Sequence, residues 1–314
     1  NSRPAILRHQ PPPQWGSPGG GGPPSPAPPP PPPAGAPRRI AGSAASYLVL
    51  CVLVLFLLFP LFVMLAISIL PDSEVNTQVL FSRQGIINLG TYLSILSGGS
   101  RYLMYLKNSL LVGLIVGIGI PLVSSLCAYG FCKLEFKGRD LMFGIVLSTM
   151  MIPAVVTIIP LYTIYARLGW VDTLLPMWVP SLFGGGAVNI FLMRQFMRGI
   201  PNDLLSAAKL DGANSLVIFV RVMLPLCVPV FLYVGVTSFM GSWNDFMTPY
   251  TYLNRSSDSI TLALGIYFDY GPQSTHFANV AMAAGVIMIL PCAVLFFVFQ
   301  RYLMEGVAST GLKD

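Results

Sequence analysis

Charged residues are scarce in this chain of 314 residues: they make up 10% of the sequence, whereas hydrophobic residues make up 54%. Typical globular domains carry about one quarter charged residues, and a soluble fold of this length could not cover so much apolar side chain. The excess apolar surface must therefore face lipid. The net charge of +6 does not indicate nucleic acid, because the basic residues lie beside apolar segments and form no stripe with stacking aromatics.

The sequence also lacks the usual motifs of catalysis and metal binding. None of its five lysines is followed by Ser or Thr, so it contains no phosphate-binding P-loop. It has two histidines and neither an H-E-x-x-H nor a G-x-S-x-G string. Its five cysteines form no C-x-x-C pair, which argues against a zinc site or a disulfide framework. We therefore predict a chain that is not an enzyme, with no catalytic residue, no metal site and no cofactor of its own.

Long apolar runs dominate the rest of the chain. Residues 1–39 precede them as a tail that contains most of the chain's 28 prolines, and such a composition predicts disorder. A bilayer core of about 30 Å needs about 20 helical residues, so residues 40–314 are predicted to form an all-α integral membrane domain with six transmembrane helices. The predicted spans cover about residues 47–70, 108–132, 141–165, 176–196, 218–242 and 277–300.

The basic residues predict the orientation of these spans. If the N-terminus is cytoplasmic, the inside segments hold 13 of the 18 Lys and Arg residues and the outside segments hold five. Cytoplasmic loops carry an excess of Lys and Arg, so we expect both termini to be cytoplasmic. The spans are almost free of charge, whereas ion-coupled carriers usually keep an ionisable residue inside the bilayer. An ion-coupled secondary carrier is therefore the less favoured alternative.

A short polar stretch between the fourth and fifth spans carries the strongest functional signal. Pro201 ends the preceding helix, and either Asn202 or Asp203 is expected to cap a new one. About two helical turns follow, and Gly212 can adopt the left-handed geometry that ends a helix. The sequence therefore predicts a short helix over about 202–213. On helix signals alone, an ordinary connector explains it equally well.

The motif in this stretch resembles that of a known family. Ala207-Ala208-x-x-Asp211-Gly212-Ala213, followed nine residues after Gly212 by Val222-x-Leu224-Pro225, is similar to the loop motif of binding-protein-dependent ABC importer permeases. In that family the motif reads E-A-A, three residues, G, nine residues, I-x-L-P, and its glutamate falls on Ser206 here. Further strings in matching order resemble the smaller permease of maltose- and trehalose-type importers: Asn108-Ser-Leu, Ala128-Tyr-Gly-Phe, Ile159-Pro-Leu-Tyr162, Leu168-Gly-Trp-Val-Asp-Thr173, Arg194-Gln195-Phe196, Trp243-Asn-Asp-Phe246, Pro249-Tyr250 and Gln300-Arg-Tyr302.

The resemblance implies the type I ABC importer permease fold in a bacterial inner membrane. It implies a second, different permease subunit, two copies of an ATP-binding subunit that hold ATP and magnesium, and an extracytoplasmic solute-binding protein. The transported solute would be a sugar, an oligosaccharide or disaccharide, with a polyol or glycerol phosphate as alternatives. The stretch at 202–213 would be the cytoplasmic coupling helix that docks on an ATP-binding subunit. The residues expected in this coupling are Ser206, Ala207, Ala208, Asp211, Gly212, Ala213 and Pro225.

Candidate sugar contacts lie in the fourth span and at the end of the fifth. Sugars are commonly held by aromatic faces and by amide or carboxylate hydrogen bonds, which points to Asn189, Trp243, Asn244 and Asp245. For Trp243, an aromatic anchor at the membrane interface is the favoured alternative to a sugar contact. A membrane scaffold protein would share the apolar composition, but it would not need the loop motif.

Overall fold

The computed structural model describes residues 36–75, 87–97, 101–271 and 278–311. These residues form helices and turns, with no strand among them, so the all-α prediction is confirmed. Most of the predicted tail, residues 1–35, lies outside the described residues. In chain order the helices are α1 (Ala36–Ser68), α2 (Gly90–Leu96), α3 (Tyr102–Lys133), α4 (Arg139–Ser148), α5 (Ala154–Arg167), α6 (Leu175–Trp178), α7 (Ala187–Arg198), α8 (Asn202–Leu210), α9 (Ser215–Ile218), α10 (Leu224–Leu226), α11 (Val228–Trp243), α12 (Met247–Tyr252), α13 (Leu262–Tyr270) and α14 (Ala278–Gly311).

Four stretches of the described chain are long and apolar enough to cross a membrane. They are Ser46–Ser68, Tyr102–Lys133, Leu175–Arg198 and Ala278–Tyr302. Two bent helix pairs bring the number to six if each pair is one span: Arg139–Met151 with Ala154–Arg167, and Ser215–Leu226 with Val228–Trp243.

The predicted third span, 141–165, is not one straight helix. Its two parts meet at an angle of 99°. Pro153 lies at the break, and the preceding Ile152 has extended backbone angles. A residue before proline is driven away from the helical conformation because the proline ring clashes with it. The bend is therefore a local consequence of Pro153.

The predicted fourth and fifth spans are also interrupted. In the fourth, 176–196, Gly184, Gly185 and Gly186 all have positive φ, so the backbone leaves the helix before α7 begins. In the fifth, 218–242, the axis bends by 79° between the segments that end at Leu226 and begin at Val228. A π-helical turn over Phe219–Met223 precedes this bend, and such turns and prolines are common causes of kinks.

The described residues fall into two compact units, divided between Phe56 and Leu57. In the first unit, the described part is the beginning of α1, and its side chains from Ser46 to Phe56 are exposed. In the second unit, α3 is the central helix and packs along α11, α7 and α13.

The second unit has two apolar clusters at different levels along α3. One joins α3, from Val112 to Tyr129, to α7, α8, the π-helical turn and the start of α11, and Met193, Met197 and Met223 are fully buried in it. The other joins the N-terminal part of α3 to α11, α13 and α14, with Trp243 at its centre. We call the end of the bundle that carries α8 the α8 end.

Candidate functional site

The helix α8 lies where the sequence predicts a short polar helix, but its N-cap differs from the prediction. The helix begins at Asn202, and the capping position is Pro201, which makes no side-chain hydrogen bond. Neither Asn202 nor Asp203 caps the helix, so that prediction is wrong. Asn202 is engaged elsewhere, because its side-chain Oδ1 accepts a hydrogen bond from Lys133 Nζ at 2.8 Å.

The C-terminal end of α8 is closed by a Schellman motif. The amide of Gly212 donates to the carbonyl of Lys209 at 3.0 Å, and the amide of Ala213 donates to that of Ala208 at 3.0 Å. Gly212 has φ +82, the left-handed conformation that such an ending requires. The chain then turns directly into α9, whose first turn is capped by Asn214 Oδ1 accepting from the amide of Val217 at 2.9 Å.

One face of α8 is anchored in the bundle and the other is open. Leu205 is 7% exposed and belongs to the cluster at the α8 end, and Ala208 packs against that cluster. On the open face, Leu204 is half-exposed and Leu210 is 90% exposed. Ser206, Ala207 and Asp211 are also exposed, and Ser206 Oγ donates only within the helix, to the carbonyl of Asn202 at 3.2 Å.

A groove of about 390 Å³ opens beside the end of α8. It is lined by the residues of the α8–α9 turn together with Val217, Arg221 and Val222. The predicted coupling residues Ala208, Asp211, Gly212 and Ala213 all border it. The structure thus brings most of the predicted coupling set to one surface.

Pro225 lies apart from that groove. It is exposed at the start of α10, between the π-helical turn and the bend that leads into α11. Its position marks the connection from α8 and α9 to the fifth span.

A basic residue from outside the loop motif, Lys133, contacts the start of α8. Lys133 is the last residue of α3, and its Nζ donates to the carbonyl of Ile200 at 2.8 Å as well as to Asn202 Oδ1. From the sequence, Lys133 is recognisable only as one of the basic residues that follow the second predicted span. Nothing in the sequence pairs it with residues 67 and 69 positions further on.

A second basic residue holds the neighbouring connection. Arg194 in α7 is buried, its guanidinium lies 4.0 Å from the centre of the Phe143 ring, and its Nε donates to the carbonyl of Phe131 at 3.3 Å. Its Nη2 is 3.7 Å from Asp140 Oδ1. These contacts join α7 to the end of α3 and the start of α4.

The four predicted sugar contacts differ in their accessibility. Trp243 is 1% exposed, and its indole Nε1 donates to the carbonyl of Met288 at 3.0 Å, so its ring belongs to the helix packing. Asn244 is exposed, and Asp245 is half-buried with its Oδ1 accepting from the amide of Thr248 at 3.1 Å.

The fourth, Asn189, is half-buried in the first turn of α7. Its Nδ2 donates to the carbonyl of Gly185 at 2.8 Å. The described contacts therefore place Asn189 in its own turn and give no contact between it and Trp243, Asn244 or Asp245.

The end of the bundle opposite α8 is held by Asp172. This residue has φ 67, which is uncommon for a residue other than glycine and often marks a constrained site. Its carboxylate accepts from the amide and the Nδ2 of Asn254, each at 2.8 Å. Because these donors favour the ionised form, the pKa of Asp172 lies below its usual value. The motif around Trp170 and Asp172 thus fixes one loop to another.

Comparisons with known proteins match most of the chain. Residues 120–309 match the family described as "Binding-protein-dependent transport system inner membrane component". The chain is 32% identical over 264 residues to the arabinooligosaccharides transport system permease protein AraQ of Bacillus subtilis, which covers 82% of this chain and 92% of that protein. It is 28% identical over 257 residues to the trehalose/maltose transport system permease protein MalG of Thermococcus litoralis, with coverages of 82% and 91%.

The fold is also shared with a solved structure. A bacterial ABC transporter involved in the import of the acidic polysaccharide alginate has a chain that aligns with 84% of this chain and 96% of its own length. The TM-score is 0.73 and the sequence identity is 24%. This similarity shows a common fold.

Proposed function

Because the chain belongs to the family of binding-protein-dependent transport system inner membrane components, we propose that it is a sugar-translocating permease subunit of an ABC importer. It forms half of the translocation pathway and pairs with a second, different permease. ATP is hydrolysed, with magnesium, on two copies of a separate ATP-binding subunit, and an extracytoplasmic solute-binding protein delivers the sugar. The sugar assignment is supported by relatives that transport arabino-oligosaccharides and trehalose or maltose.

The observation that carries the coupling role is the asymmetry of α8. Leu205 fixes the helix to the bundle, while Leu204 and Leu210 face outward. Exposed apolar side chains on a short helix are suited to burial in a groove of a partner. Ala207 adds no bulk on the open face, so a partner surface can approach the helix backbone closely. We assign this face to the ATP-binding subunit.

The proposed orientation places α8 in the cytoplasm. Lys133, Arg139, Arg194 and Arg198 lie at or near helix ends on the α8 side of α3, α4 and α7. An excess of basic residues marks the cytoplasmic side of a bacterial inner membrane. With α8 inside, both termini are cytoplasmic.

The proposed mechanism follows from the connections of α8. Closure of the ATP-binding subunits would carry α8 as a rigid body, because Leu205 and the Schellman ending give it a defined angle to the bundle. The π-helical turn and the bend at Cys227 connect that movement to α11. Rocking of the spans would then switch the pathway between inward- and outward-facing states.

Sugar contacts from this chain are assigned to Asn244 and Asp245. Both lie beyond the end of α11, where Asn244 is exposed and Asp245 is half-buried. The hydrogen bonds to Met240 and Thr248 use Asn244 Nδ2 and Asp245 Oδ1, and the remaining side-chain oxygen of each residue is the candidate sugar contact. Asn189 stays a candidate, since its Oδ1 is not used by the hydrogen bond to Gly185. Trp243 acts by packing in the described conformation, and a rearrangement of α14 would be needed to expose it.

Reconstitution of the complete complex in proteoliposomes tests the function. Labelled arabino- or malto-oligosaccharide should accumulate only with ATP and the loaded solute-binding protein, and a variant complex with inactive ATPase subunits is the control. Competition by a polyol or by glycerol phosphate, but not by sugars, would reassign the substrate. Uptake that persists without ATP hydrolysis and follows an ion gradient would overturn the importer assignment.

A further inference from the structure

The central helix α3 is attached by its own side chains at both ends. It contains 32 residues from Tyr102 to Lys133 without a break, which corresponds to a length of roughly 48 Å at about 1.5 Å per residue. Such a helix reaches from one membrane surface to the other. Its two attachments involve segments that are far apart in the sequence.

The attachment at the α8 end is made by Lys133. Its ammonium group donates to two acceptors at once, the carbonyl oxygen of Ile200 and Oδ1 of Asn202, both at 2.8 Å. Pro201 lies between these two residues, so the contact holds the connection from α7 to α8. Hydrogen bonds from a charged donor are among the stronger ones in proteins. The other attachments of α8 to the bundle, through Leu205 and Ala208, are apolar and therefore not directional.

The attachment at the opposite end is made by Asn108 and Ser109. Asn108 Nδ2 donates to the carbonyls of Asp258 at 2.7 Å and Ile260 at 2.9 Å. Ser109 Oγ accepts from the amide of Leu262 at 2.7 Å. Together they hold the outer loop, residues 253–261, against the first turns of α3.

Between these ends, α3 is packed closely enough to move as one body. It is the helix with the most extensive packing in the second unit, with α11 and α7 alongside it. Val112, Val116 and Ala128 are buried along its length. Packed helices transmit displacement because close-packed interiors yield little to compression.

We propose that α3 is a strut between the outer loop and α8, and that Lys133 and Asn108 are the positioning residues at its two ends. The proposal rests on the proposed function, in which the loaded solute-binding protein acts on the outer side and the ATP-binding subunit docks on α8. Docking outside shifts the outer loop, Asn108 passes that shift to α3, and Lys133 passes it to the start of α8. Through this strut, a loaded binding protein on the outer side would stimulate ATP hydrolysis on the inner side.

The substitution Lys133→Met tests the inner attachment, because methionine keeps the length of the side chain and removes its donors. Stimulation of ATPase activity by the sugar-loaded binding protein should fall about fivefold or more, within the usual range of allosteric couplings, while basal ATPase activity and complex yield stay unchanged. Lys133→Arg keeps the donors and should retain most of the stimulation. Lys137→Met is the matched control, since Lys137 is an exposed lysine in the adjoining turn.

The double substitution separates a strut from two local structural roles. Asn108→Ala should reduce stimulation, although less than Lys133→Met does, because Ser109 and Arg101 keep part of the outer attachment. The loss in the double variant should be smaller than the product of the two single losses, because both residues lie on one route from the outer loop to α8. If the Lys133→Met complex fails to assemble, Asn202→Ala takes its place in the single and double variants, because it removes one of the two acceptors of Lys133.

Normal stimulation in Lys133→Met, an equal loss of basal activity, or multiplying losses in the double variant would each overturn the proposal. These results differ from a failure of the proposed function itself. In that case the unaltered complex would show no stimulation by a loaded binding protein.

Discussion

Substitution of Gly212 tests whether the angle of α8 matters for coupling. Gly212 has φ +82, and a Cβ added there would meet nothing within 4 Å. A larger side chain therefore creates no clash with neighbouring atoms, and its effect acts through the backbone alone. A series of residues at this position can then be ordered by how readily each adopts the left-handed conformation.

The size of the effect follows from that backbone preference. For residues other than glycine, the left-handed conformation costs roughly 1–2 kcal/mol, and asparagine tolerates it better than most. A cost of that size lowers the population of the Schellman ending by a factor of about 5 to 30. We expect coupling to decrease in the order Gly212, Gly212→Asn, Gly212→Ala, Gly212→Val, because valine is branched at Cβ and is the least tolerant.

The assay is the ratio of sugar transported to ATP hydrolysed in the reconstituted complex. The ratio should fall along the series while the amount of assembled complex and its basal ATPase activity stay similar. A Gly212→Val complex with an unchanged ratio would refute the role of the α8 ending. So would equal losses for Asn and Val, since the backbone preference would then not decide the outcome.

Two further predictions concern Asp172 and the two faces of α8. The hydrogen bonds from Asn254 lower the pKa of Asp172 below its ordinary 3.8, so the stabilisation by its carboxylate is complete above pH 3.8 and is lost as the pH falls through the lowered pKa. Asp172→Asn keeps a residue that tolerates positive φ, and it should lower the unfolding temperature at neutral pH but not in strong acid. A difference in unfolding temperature that does not depend on pH would contradict this role of Asp172. Leu205→Ala should destabilise the permease by about 2–5 kcal/mol, measured by thermal unfolding in detergent. Leu210→Ala should leave the unfolding temperature unchanged and weaken co-purification with the ATP-binding subunit. A large loss of stability in Leu210→Ala would show that Leu210 does not lie on the open face of α8.

The all-α class and the positions of the six apolar segments could be predicted from the sequence, because apolar length decides whether a segment can cross a bilayer. Only four of the segments are single spans in the described chain, and the other two are bent helix pairs. The bends could be anticipated only in part. Pro153 and Pro225 signal possible breaks, but proline also occurs inside the continuous helix α3, at Pro121. Whether a proline bends a span depends on which neighbours satisfy the freed backbone groups, and a linear sequence does not give those neighbours.

Polar side chains at helix ends were the least predictable feature. Asn202 has the properties of a good N-cap, but Lys133 from a distant helix engages its side chain. The local rule gave the wrong cap because a tertiary contact competes for the same oxygen. The sequence was equally insufficient for Trp243, because an indole suits either a sugar contact or the membrane interface. In the structure, its Nε1 donates to the carbonyl of Met288 and its ring is buried between helices.

Two of the three leucines of α8, Leu205 and Leu210, explain why a two-turn helix can serve as a docking element. A helix this short is marginal alone, and Leu205 supplies the burial that holds it on the bundle. Leu210 is 90% exposed and does not help to hold α8 on the bundle. Full burial of such a side chain is worth about 1.5–3 kcal/mol. That free energy becomes available only when another surface covers it. Because Lys133 fixes the start of the helix, a force applied at Leu210 reaches α3 instead of detaching α8 from the bundle.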